Sequence, residues 1–139
     1  MKRVFVLCFS ILMSVSLWAQ EGNWELYTSV EGVEIYTQEV ECLDNKLPDQ
    51  VAYLVKVVNT TNKNLNIEWD IAIWYNGKNG TGTPNPENHH LVSVEKNSSM
   101  EGDCSLPRGA LYIIKEFKAA SSTTRLTKFE FQNIQISKS

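Results

Sequence analysis

Few residues in this chain have the types and spacing for chemistry. The two histidines, His89 and His90, are adjacent. Zinc needs three or four ligands at tetrahedral spacing, and neighbours on a strand point to opposite faces. The pair therefore cannot grip one ion from a regular strand, and Glu87 is the sole acid close by in sequence. The chain has no HExxH or CxxC spacing, so no metal site is expected and the histidines read as two exposed loop residues. Nucleophilic catalysis would have to recruit one of them, and no Gly-x-Ser-x-Gly elbow is present. Glu68 and Asp70 lie two positions apart. On a strand rising about 3.3 Å per residue their bases would stand roughly 6–7 Å apart on one face, a separation that suits paired-carboxylate glycoside hydrolysis. A solvated strand face explains them more simply. The expectation is a non-catalytic protein without a cofactor; a small hydrolase acting through Glu68 and Asp70 is the alternative.

Trp74 and the segment after it suggest binding rather than turnover. Asn76 to Asn88 carries no hydrophobic side chain, and connections of about this length without internal structure are functional or mobile. Trp74 leads into it on the polar side of its strand. It can stack on a sugar or anchor a protein partner, or it can cover the end of the fold beneath the loop. Trp74, Asn76, Asn79 and Asn85 are the candidate binding residues, for a glycan or a protein.

The cysteines connect chemistry to destination. Lys2 and Arg3 precede an apolar run from Val4 to Val15, and Ser16-Leu17-Trp18-Ala19 offers a small residue for cleavage. This is the layout of a secretory signal, too short for the roughly 20 residues of a spanning helix. Residues 1–19 are expected to be a signal peptide, leaving a secreted or periplasmic protein with no membrane insertion. Cys8 leaves with the signal, and Val6-Leu7 before it lacks the small residue that lipid attachment needs. Cys42 and Cys104 remain. Two thiols in an exported domain pair, and closing a loop of about sixty residues stabilises by roughly 4 kcal/mol.

Removing 19 of the 139 residues leaves 120, enough for a single domain, residues 20–139. The leader holds two of the 13 basic residues and none of the 16 acidic ones, so the net charge moves from −3 to −5. Nucleic acid calls for a basic stripe and is not an expected partner. Nothing in the sequence sets the oligomeric state.

The elements that must position these residues are written in period two. From Leu65 to Tyr75 every odd position is apolar, while Asn66, Glu68 and Asp70 interleave. That predicts a half-buried strand, with Ile67, Trp69, Ile71 and Ile73 facing a core shared with Val33, Val55 and Val57. Val51–Val58 is almost continuously apolar and suits a strand covered on both sides. The turn-like connector Asn59–Asn64 predicts that these two strands pair as a hairpin. Trp24–Ser29, Val33–Cys42 (after the turn signal Glu31-Gly32), Leu91–Val94, Leu111–Phe117 and Arg125–Ile136 complete about seven strands. In the last, apolar positions switch from odd (Phe129, Phe131) to even (Ile134, Ile136), which predicts a bulge near Gln132-Asn133 or two partly covered faces. The expected fold is all-β: an antiparallel two-sheet sandwich of immunoglobulin-like type with one disulfide, a small closed barrel being the alternative.

Three segments, Gly32-Val33-Glu34-Ile35-Tyr36, Tyr53-Leu54-Val55-Lys56-Val57-Val58-Asn59 and Ser99-Met100-Glu101-Gly102-Asp103-Cys104, resemble small secreted β-sandwich proteins of Bacteroidota. The likeness covers most of residues 20–139. It implies a periplasmic or extracellular address and supplies neither an activity nor functional residues.

Overall fold

The computed structural model describes residues 22–43, 48–80, 86–105 and 109–139. The expected signal peptide and the candidate Asn85 lie outside these residues. Among the described residues nine strands form: β1 Glu25–Val30, β2 Val33–Cys42, β3 Gln50–Asn59, β4 Leu65–Tyr75, β5 Lys78–Asn79, β6 His89–Val94, β7 Ser98–Glu101, β8 Tyr112–Phe117 and β9 Leu126–Lys138. They build two antiparallel sheets packed as a sandwich. In sheet A the order is β1-β2-β3, and the far edge of β3 is shared by β7 and β8. In sheet B, β4 is central, with β9 along one edge and β6 and β5 sharing the other.

Two strands exceed the expected seven. β5 is a two-residue return after Asn76-Gly77, and β7 is fully exposed. Neither has an apolar face, so periodicity could not report them. β5 also corrects the picture of Asn76–Asn88 as structureless. Asn76 and Gly77 take φ of 50° and 76°, the two left-handed residues of a type I′ turn, whose twist matches the flanking strands. Pro86–Asn88 forms a single 3-10 turn before β6. Glu31-Gly32 makes the same kind of turn between β1 and β2, with φ of 48° and 80°.

A larger correction concerns β3 and β4, which do not pair. β3 hydrogen-bonds to β2, β7 and β8, while β4 bonds to β5, β6 and β9. The connector therefore crosses from sheet to sheet, and the inner faces of the two strands enclose one core. Asn59 pins the crossing. It is fully buried, and its Nδ2 lies within hydrogen-bonding distance of the carbonyls of Lys63 (2.7 Å), Val94 (3.2 Å) and Glu95 (3.1 Å). Its Oδ1 accepts from the Thr61 amide and hydroxyl at 2.9 and 2.7 Å. A buried amide stays in place when its donors and acceptor are all engaged.

The core holds Val33, Ile35, Val55, Val57, Ile67, Trp69 and Ile71, with Ile73 packed against it. That is the phase expected for β4. The bulge in β9 is also present: Glu68 faces Gln135 but Asp70 faces Gln132, and Asn133 takes φ of 52°. The extra residue lets Phe129 and Phe131 before it, and Ile134 and Ile136 after it, all pack on the core.

The first part of β3, through Val55, is covered on both faces, while Lys56 and Val58 stay partly exposed on the outer side. On the outer side of sheet A, Cys42, Ala52, Leu54 and Tyr112 form a second buried cluster with Trp24, Val40, Cys104 and Ile114 against it. Cys42 and Cys104 are joined, with Cα atoms 5.4 Å apart. The bond ties the end of β2 to Cys104, shortly after β7, beside this outer cluster and spans 62 positions of chain. Where β7 gives way to β8, the Val55 amide donates to Leu111 O (3.0 Å) and its carbonyl accepts from Gly102 N (2.9 Å). A Cβ at Gly102 would collide with the Leu111 carbonyl, so the glycine two residues before Cys104 is required by close backbone approach.

Candidate functional site

The outer face of sheet B collects most of the residues that the sequence marks for chemistry or binding. Because side chains alternate along each strand, the even positions of β4 face outward with their cross-strand partners. Asn66 stands with Ser93 and Ser137, Glu68 with Leu91 and Gln135, Asp70 with His89 and Gln132, and Trp74 with Asn79 and Lys128.

His89 corrects the expectation of a loop pair, since both histidines open β6. Alternation sends them to opposite sides. His90 turns inward beside Trp69, ring centres 6.0 Å apart. Burial holds its pKa below the ordinary 6.5, helped by the charge of His89 and opposed by Asp70. His89 points out, where its Nδ1 lies 2.9 Å from Asp70 Oδ1 and its Nε2 3.5 Å from Glu68 Oε2. Asn133 Nδ2 donates to Asp70 Oδ2 at 2.8 Å. That bond, from the bulge residue, and the His89 contact hold the Asp70 carboxyl below its usual range.

In this cluster the ionisable side chains engage one another. Both His89 ring nitrogens face carboxylates, so neither is turned towards a hydroxyl it could deprotonate. A carboxyl held low is a poor general acid at neutral pH. Among the described residues no group of three or more His, Cys, Asp and Glu side chains is arranged to hold a metal ion.

Trp74 is half-buried at the other end of the face. Lys128 Nζ sits 4.6 Å from the centre of its ring, a cation–π contact, and also lies 2.6 Å from Glu130 Oε1. Gln132 donates to Glu130 Oε2 at 3.2 Å, so a chain of polar contacts runs along β9 towards Asp70. Lys128 and Gln132 together hold the Glu130 carboxyl below its usual range.

The expected binding residues fare differently. Asn79 is exposed and directly opposite Trp74. The Asn76 amide serves the fold: its Nδ2 donates to Thr123 O at 3.2 Å, and its Oδ1 accepts from Arg125 N at 3.1 Å. Sequence reading missed Leu91, an apolar side chain 55% exposed among polar neighbours. It also missed Asn133 as the partner of Asp70. Leu91 could have been found from its phase in β6; the reach of Asn133 depends on the bulge.

Comparison of the chain with protein-family models, curated proteins and solved structures finds no match.

Proposed function

We propose that this chain is an exported, non-catalytic β-sandwich module that binds a glycan or a protein through the outer face of sheet B. The observation that carries the proposal is the partly exposed row of polar side chains on β4, β6 and β9, with Trp74 at one end and Leu91 within it. Amides, carboxylates and hydroxyls on such a face match the donors and acceptors of a hydrated partner, while Trp74 and Leu91 supply apolar contact. The mutual engagement of His89, Glu68 and Asp70 supports binding over hydrolysis. An immunoglobulin-like relation of the sheets belongs to the same proposal, supported by the antiparallel two-sheet packing around one core. Export rests on the leader-like residues 1–19; intact mass of the exported protein should place its start near Gln20.

The test is a glycan array and a pull-down from extracellular material with wild type and Trp74→Ala. The variant should weaken binding by about 2 kcal/mol while its unfolding transition stays in place. Normal binding by Trp74→Ala removes the face from consideration.

A further inference from the structure

Sheet A carries a second, separate candidate site. Beside the disulfide-covered patch, its outer face opens into a groove of about 450 Å³, within the size range of small-ligand sites. Tyr36 and Lys56 are cross-strand partners on the floor, and the next row brings Glu34, Val58 and Ser99 into line. Trp24 walls one end, with Lys56 Nζ 5.7 Å from the centre of its ring. The Tyr36 hydroxyl donates to Glu34 Oε2 at 2.7 Å, and Lys56 Nζ lies 3.5 Å from Glu101 Oε2.

We infer that this groove binds an uncharged saccharide unit, held against Tyr36 with Trp24 at its end and hydrogen-bonded by Glu34, Lys56 and Ser99. A sugar ring has an apolar C–H face and a rim of hydroxyls that both donate and accept. The Tyr36 ring on the floor meets the first need. A carboxylate that only accepts, an ammonium that only donates and a hydroxyl that does both meet the second. The charge pattern narrows the class further. Glu34 and Glu101 flank the single lysine, which disfavours a polyanion. Lys56 already occupies the cation position over Trp24, which disfavours an ammonium ligand. A neutral, hydroxyl-rich ligand is what remains. This inference does not depend on the sheet B proposal, because the two faces lie on opposite sides of the molecule.

The experiment follows the indole N–H resonance of Trp24 in isotope-labelled protein. Probes are neutral hexasaccharides of glucose, mannose, galactose and N-acetylglucosamine, with tetramethylammonium and polyphosphate as contrasts. At least one hexasaccharide should shift Trp24 saturably, with a Kd near 1 mM or tighter, and Tyr36→Ala and Glu34→Gln should each weaken it by about tenfold. Trp74→Ala should leave the titration unchanged. If Tyr36→Ala fails to fold, Glu34→Gln decides, since it keeps the side chain's shape. The inference is overturned if no hexasaccharide moves Trp24. It is equally overturned if a contrast ion alone does so, if the substitutions in the groove leave the titration intact, or if Trp74→Ala abolishes it. Failure of Trp74→Ala to affect a sheet B ligand bears on that proposal alone.

Discussion

The two outer faces of this sandwich are opposites. On sheet A, much of the outward side of β3 is apolar: Ala52 and Leu54 are buried there with Tyr112, beside the Cys42–Cys104 disulfide. On sheet B the outward positions of β4 include Asn66, Glu68 and Asp70, which are partly exposed and meet Ser93, His89 and Asn133. Both strands are central and both feed the same core. The difference teaches that outward side chains decide whether a central strand needs a lid: buried leucine gains roughly 2 kcal/mol over exposed leucine, whereas exposed ion pairs contribute little either way. The disulfide stands on the face with something to cover.

The comparison can be broken most directly at the staple. Replacing Cys42 and Cys104 together with serine should cost about 4 kcal/mol in equilibrium denaturation. A loss under about 1 kcal/mol would mean that the cover holds without its cross-link. Next in size, Leu54→Ala should cost about 3 kcal/mol, while Glu68→Ala on the opposite face should stay within about half a kcal/mol. Similar small losses at both positions would erase the distinction between the faces.

Smaller effects are read by pH. The pKa of His90 is depressed by burial, so the unfolded chain takes its proton first. Its contribution is neutral above the unfolded value of about 6.5. Stability should fall as pH drops through that value, and the loss is complete below the folded pKa. His90→Gln should flatten that slope; an unchanged slope would assign the pH response to other groups. Smallest of all, Asn133→Ala should let the Asp70 carboxyl rise towards its ordinary range, followed by NMR titration. An Asp70 that does not move would leave His89 as its main support.

How much was legible in the sequence depends on distance along the chain. β4 was readable because alternation is local, and so was the double covering of β3 through Val55, where the apolar run has no polar side. The switch from Phe131 to Ile134 announced the bulge for the same reason. The hairpin expectation for β3 and β4 failed because Asn59–Asn64 encodes a change of direction, not whether the strands that follow lie edge to edge or face to face. The Glu68–Asp70–His89 cluster needs the β4–β6 register, and Asn133 needs the β4–β9 register as well; no local pattern carries either. The sheet A groove draws Trp24, Tyr36, Lys56 and Ser99 from separate parts of the chain, so its aromatic and polar residues never appear together in sequence.

Asn59 has a consequence for where this protein can be made. It heads the triplet Asn59-Thr60-Thr61, an acceptor sequence for N-linked oligosaccharide, yet its side chain is fully buried and engaged at both ends. An oligosaccharide transferred to the nascent chain in a eukaryotic secretory pathway would occupy the atom that bridges the two sheets. The modified chain could not close the crossing, and the product would be retained or degraded. Asn97-Ser98-Ser99, exposed at its turn, could carry the same modification without harm. Expression in a host lacking that pathway avoids the conflict, and Thr61→Val, which removes the acceptor sequence, would also sacrifice the hydroxyl that donates to Asn59.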